Sequence, residues 1–168
     1  IATDDGYVPN DEFSLRFFPK DMARKTWPTS LAKDKAPGTY RVFILGGSAA
    51  QGVPDPAFGF GNILETMLTD AYPDADFEVV ITAVTAINSH VVLPIARDCA
   101  KHQPDLFVVY LGNNEVIGPF GPGTVFQAYS PDLKLIRAYI AVQKAKLGQL
   151  AVNLSRPRAG KDDKARWT

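Results

Sequence analysis

Three short segments carry residues whose types could do chemistry together: Gly46-Gly47-Ser48, Thr82-Ala-Val-Thr-Ala-Ile-Asn88 and Gly112-Asn113-Asn114-Glu115. A serine hydroxyl directly after paired glycines is a candidate nucleophile. A turn of small residues can offer backbone N–H groups, and a carboxamide adds side-chain donors. Those are the parts of acyl transfer, in which negative charge gathers on one oxygen and needs donors already in place. Taken singly, each has an ordinary reading, since Ser, Asn and Gly populate turns for backbone reasons. Their meaning depends on what holds them together.

The elements that must do so are legible as alternating strands and helices. A strand is expected over 41–45, where Val42 to Leu45 form an uninterrupted apolar run, as a strand buried on both faces of a parallel sheet reads. Gly46 and Gly47 let the chain turn at that strand's carboxyl end. A loop with Pro54 and Pro56 leads to a helix over 60–71, whose stripe is Ile63, Leu64, Met67 and Leu68. A second strand is expected over 77–81, then a helix from Asn88 or Ser89 to Lys101 with Pro94 inside it. A third strand follows over 106–111, then the glycine- and proline-rich loop 112–123, then one helix from Asp132 to Leu150. Such alternation predicts a parallel sheet with crossover helices. In it all three chemistry-bearing segments leave the same edge, where open α/β sheets bind ligands. Three strands are few for this class, so at least one more is expected downstream.

With those blocks in place the chain resembles the SGNH hydrolases, the GDSL-type esterases and lipases. That family carries Gly-x-Ser after the first strand, a glycine after the second, Gly-x-Asn after the third and Asp-x-x-His near the end. Gly46-Gly47-Ser48 with Gly52, and Gly112-Asn113-Asn114-Glu115, match the first and third blocks over a resemblance spanning about residues 38 to 150. The wording is similar to a bacterial subgroup often joined to tetratricopeptide repeats. The resemblance implies Ser48 as nucleophile and an oxyanion hole from the N–H groups of Ser48 and Ala86 with the Asn114 carboxamide. Gly47, Asn88, His90, Asn113 and Glu115 would surround the pocket. Ala86 stands where the family has glycine, so its Cβ demands room. Gly47 replaces the usual acidic residue, and Glu115 stands where Asp is commoner. The implied fold is a three-layer α/β/α sandwich with a flavodoxin-like sheet in strand order 2-1-3, truncated at its carboxyl end. It takes a small ester or O-acylated substrate and requires no cofactor or metal.

The fourth block is missing: no Asp-x-x-His occurs in the chain. Serine without a base is a poor nucleophile at neutral pH. Of the two histidines, His90 follows the second strand on the expected active edge, and His102 sits at the far end of its helix. The simplest account places the base and its aspartate after Thr168, leaving the 168 residues inactive alone. The runner-up reading is a non-catalytic carbohydrate- or protein-binding module on the same fold.

Composition excludes other classes. The chain is 46% hydrophobic and 21% charged with zero formal charge, no apolar run near a membrane span and no leader. It begins with Ile, as a fragment or a processed form does. The charge is uneven: nine Lys/Arg against two Asp from Leu133 onward, so the preceding part is negative and nucleic-acid binding there is disfavoured. One cysteine, Cys99, allows no internal disulfide and reads as a buried thiol. The Gly46–Gly52 turn lacks the Lys-Ser/Thr of a phosphate loop, and Ala50 breaks the Gly-x-Ser-x-Gly elbow. Residues 1–37 are expected to cover the core, with an extended piece over 13–18, residues 38–150 to form the main domain and 151–168 a polar basic tail. Compartment and oligomeric state are not encoded legibly.

Overall fold

The computed structural model describes residues 1–125, 132–143 and 145–155. Two compact units are present, residues 1–131 and 132–168. The first is a mixed α/β unit built on a three-stranded parallel sheet.

The sheet forms where the apolar runs predict it. Strand β3 (Thr39–Gly46) lies in the centre, between β4 (Asp76–Ile81) and β5 (Leu106–Tyr110), giving the order β4-β3-β5. Both pairings are parallel, with Ile44 opposite Ile81 on one side and Val108 on the other. This is the 2-1-3 order expected. Helix α2 (Phe60–Ala71) connects β3 to β4, and α3 (Ser89–Cys99) connects β4 to β5. The chain moves outward on the first connection and back across β3 on the second. Right-handed crossovers in opposite directions put the two helices on opposite faces.

Side chains alternate across a strand, so β3 feeds two cores. Ile44 joins Ala50 and Ala83, with Phe60, Leu64, Val79, Ile81 and Val108 packed around them beneath α2. Gly61 admits this close approach, since a Cβ there would stand 2.8 Å from Ile81 Cδ1 and 2.9 Å from Ile44 Cδ1. On alternate positions Phe43 and Leu45 are 1% exposed, and the Phe43 ring meets Phe107 at 5.9 Å. Strand β5 is the open side: Leu106, Val109 and Tyr110 remain exposed, and among the described residues no strand pairs with its outer edge.

At the opposite end from the glycine turns, β3 buries a charge that sequence reading missed. Arg41 is 1% exposed; its Nε donates to Glu78 Oε2 at 2.6 Å and its Nη1 to the His102 carbonyl at 2.7 Å. The Arg41 backbone N–H donates to Asp105 Oδ2, which also receives Lys35 Nζ at 2.6 Å. The Lys35 hydrogen bond, helped by that backbone donor, holds the Asp105 carboxyl below its ordinary range.

The amino-terminal segment corrects one expectation. The piece over 13–18 is not extended: Phe13–Arg16 is a 3-10 turn that drops Phe17 and Phe18 into the interior at 1% exposure. Phe13, Leu15 and Phe17 alternate with Ser14 and Arg16 as a strand would, but the backbone closes on itself, with the Leu15 N–H donating to the Glu12 carbonyl at 3.1 Å and the Phe17 N–H to the Ser14 carbonyl at 2.9 Å. Short strands β1 (Gly6–Tyr7) and β2 (Leu31–Ala32) pair antiparallel instead. Helix α1 (Ser48–Gln51) was also unforeseen, a single turn inside what reads as loop.

In the second unit the helix expected over 132–150 is two helices, α4 (Leu133–Val142) and α5 (Lys146–Ser155). The Asp132 carboxylate caps α4 by accepting the Lys134 N–H at 2.7 Å. Gly148 approaches Val142 so closely that a Cβ would meet its carbonyl oxygen at 2.1 Å. Asn153–Ser155 end α5, so the expected tail begins later, and residues 156–168 lie outside the described residues. No described helix is long and apolar enough to cross a membrane.

Candidate functional site

The three segments do leave one sheet edge. Gly46 ends β3 against β5, where a Cβ would stand 2.2 Å from the Tyr110 carbonyl oxygen, so only glycine fits. Gly47 then starts α1 in extended geometry, and Ser48 opens the helical turn. Gly52 closes it at φ 82°, with its N–H donating to the Ser48 carbonyl oxygen at 3.1 Å. Ser48 is half-buried, and no hydrogen bond engages its hydroxyl among the described residues.

The second segment continues β4 past its last ladder residue: the N–H groups of Thr82 and Val84 donate to the carbonyls of Ile44 and Gly46. Ala86 then adopts φ 62°, the left-handed region that costs an L-residue about 1–2 kcal/mol. The glycine position of the resemblance thus keeps a glycine's conformation in this chain. Backbone hydrogen bonding in this region leaves the N–H groups of Ser48 and Ala86 unused.

The loop over 112–123 is tied to the stretch over 82–89 by four hydrogen bonds. Asn114 Nδ2 donates to the Ile87 carbonyl at 3.2 Å, leaving its other hydrogen free for a ligand. Glu115 Oε1 accepts the Ser89 N–H at 2.9 Å, and Oε2 accepts the Ser89 hydroxyl at 2.8 Å. Asn88 Nδ2 donates to the Pro119 carbonyl at 2.9 Å. Asn88 occupies the N-cap position of α3, but its side chain does not cap. Glu115 performs that task from another segment, where a carboxylate also complements the helix dipole.

Ser48 and Asn114 line one hollow together with Gly47, Ala49, Ile87 and Asn113. Its volume is ≈ 10 Å³, room for a single water-sized atom. A space of that size holds one oxygen atom and no more of a ligand. Ser48, Gly47, Asn113 and Asn114 are therefore brought together, with Ala86 one residue before Ile87. Glu115 and Asn88 instead bind the loops to each other. His90 does not line the hollow; its ring packs edge-on against Phe120 at 5.8 Å. His102 lies against Tyr7, with ring centroids 4.3 Å apart. Among the described residues no cluster of His, Cys, Asp or Glu could hold a metal ion. Cys99 is buried beside Thr82, and burial pushes its thiol up to about 11.

One residue of consequence escaped the sequence reading. Gln51, 4% exposed at the end of α1, accepts the Thr85 hydroxyl on Oε1 at 2.6 Å and donates from Nε2 to the Lys25 carbonyl at 2.8 Å. Trp27 Nε1 donates to the Gln51 carbonyl at 2.9 Å. No local spacing signals such bonds, since the partners are 24 to 34 positions away.

No family model and no curated protein matches the chain. Among solved structures it is similar to one described as the crystal structure of TesA, at 23% identity and a TM-score of 0.42. That similarity covers 65% of this chain, which spans only 56% of the TesA chain.

Proposed function

We propose that this chain supplies the nucleophile and oxyanion-binding half of a serine ester hydrolase of the SGNH type. The observation that carries the reading is the shared hollow: Ser48 and Asn114, 66 positions apart by their numbers, line one atom-sized space. Two unspent backbone N–H groups, of Ser48 and Ala86, belong to the segments around it.

In the proposed reaction Ser48 Oγ attacks the ester carbonyl carbon and its proton passes to a base. The carbonyl oxygen becomes the oxyanion, held by the Ser48 and Ala86 N–H groups and the free Asn114 hydrogen. As the tetrahedral centre collapses, its bond to the alcohol oxygen breaks and the base returns the proton to the departing alcohol. Water repeats the sequence on the acyl-serine and releases the acid. One donor of such a hole is typically worth about 10²–10³ in rate.

Neither His90 nor His102 lines the hollow, and each ring packs on an aromatic neighbour. The reaction requires a base to take the Ser48 proton, and no residue that lines the hollow is assigned that role. The test is hydrolysis of a small activated ester by the intact protein and by its Ser48→Ala variant. Turnover lost in Ser48→Ala supports the reading; full turnover in that variant refutes it. Glycan or protein binding by an intact protein without any turnover would favour the binding module.

A further inference from the structure

We infer that Gln51 and Thr85 form a positioning clamp that fixes the nucleophile turn relative to the strained oxyanion turn. The inference rests on the hydrolase reading above and concerns two residues that do not line the hollow of Ser48 and Asn114. Ser48 and Gln51 are the first and last residues of α1, so whatever holds Gln51 holds Ser48. Thr85 directly precedes Ala86, whose φ of 62° must be imposed by its surroundings. The Thr85 hydroxyl donates to Gln51 Oε1 at 2.6 Å, a side-chain bond between the two turns.

Gln51 is also anchored on its other side. Its Nε2 donates to the Lys25 carbonyl and its own carbonyl accepts Trp27 Nε1. The strap holding these groups is fixed at both flanks. The Arg24 N–H donates to Ser14 Oγ at 3.0 Å, and Thr26 Oγ1 donates to the Ile81 carbonyl at 3.4 Å. These arms of the strap end on α1, on the end of β4 and on the amino-terminal turn, while Lys25 Nζ pairs with Asp11. The Gln51 carboxamide has both its ends occupied and buried, so it cannot relax toward water. A carboxamide is suited to this task because it accepts from one turn while donating to the strap.

The mechanism by which the clamp acts is geometric. Freed from Gln51, Thr85 lets Ala86 leave the left-handed region, and the Ala86 N–H turns away from the hollow that Ser48 faces. The loss falls on kcat, because the donor matters when the oxyanion forms and not when the ester binds.

The experiment measures kcat and KM for a small activated ester in the intact protein carrying Gln51→Ala, Thr85→Val, Thr85→Ser and both clamp changes together, each with its thermal midpoint. Gln51→Ala and Thr85→Val are expected to lower kcat by roughly 10- to 100-fold with little change in KM. Combining them costs no more than either alone, and Thr85→Ser, which keeps the hydroxyl, restores most of the rate. A merely structural role does not predict the next result: adding Ala86→Gly, which adopts the left-handed turn without being forced, restores much of the rate lost in Gln51→Ala. Multiplicative losses, an unchanged kcat in Thr85→Val, or a Gln51→Ala rate indifferent to Ala86→Gly would overturn the clamp. Ser48→Ala runs alongside: full turnover there defeats the hydrolase reading, whereas an inactive Ser48→Ala beside a fully active Thr85→Val defeats the clamp only.

Discussion

Asn114 Nδ2 stands 2.9 Å from the point where a Cβ on Gly47 would be, so the carboxamide occupies the space that a side chain at position 47 would need. Gly47 and Asn114, which the proposed reaction places before the nucleophile and at the oxyanion, are thus sterically coupled. Gly47→Ala should fold, because Gly47 has an extended φ of −89° that any residue adopts. It should displace Asn114 from the Ile87 carbonyl and lower kcat toward the level of Asn114→Ala, a loss of about 10²–10³. Parallel kinetics on the two variants checks this, with near-normal turnover in Gly47→Ala as the failing result.

Ala86 pays for a conformation that glycine adopts freely. Ala86→Gly should therefore raise stability by up to about 1 kcal/mol, the relieved left-handed strain less the added unfolded-state freedom. Denaturant unfolding reads it directly, and a loss of stability would show that the Ala86 methyl contributes packing that outweighs the strain.

Buried Arg41 depends on Glu78. Glu78→Ala leaves the guanidinium with only the His102 carbonyl, and removing one partner of a buried pair costs roughly 3–5 kcal/mol. Glu78 is 28% exposed, which screens the pair and places the loss toward the lower end of that range. A urea midpoint unchanged by Glu78→Ala would contradict the assignment.

Asp105 makes acid sensitivity specific. Its folded pKa is depressed by Lys35 and the Arg41 N–H, so its contribution is present above the ordinary carboxylate pKa and is lost as pH falls through the depressed one. The stability gap between the protein and Asp105→Asn should be widest near neutrality and close on acidification below about pH 4. A gap independent of pH would mean that the aspartate charge is not what matters.

Cys99 should resist thiol reagents. With its thiol raised to about 11 by burial, the thiolate is scarce at neutral pH and access is closed. Labelling should be slow in the folded protein and immediate in denaturant; fast labelling of the folded state would contradict the burial.

The central strand and β5 were readable because each is a dense apolar run leading into glycine, β4 was readable from Val79, Val80 and Ile81, and the parallel order follows from alternation with helices. Ser48 and Asn114 could be paired from sequence since both follow strands of one sheet. What stayed hidden depends on contacts far apart in the chain. Glu115 caps α3 across 26 positions, Gln51 reaches Thr85 across 34, and Arg41 meets Glu78 across 37. None of these has a local period. The break between α4 and α5 was missed because the apolar stripe over 135–140 gives no sign of where it stops, and neither Gln143 nor Ala145 is a helix breaker.

The most direct measurement is rapid quenching of the intact protein during turnover of an acetyl ester, followed by mass analysis of its peptides. The account predicts an acetyl group on the peptide containing Ser48, absent in Ser48→Ala. Steady turnover with no adduct at Ser48, and undiminished in Ser48→Ala, would contradict it.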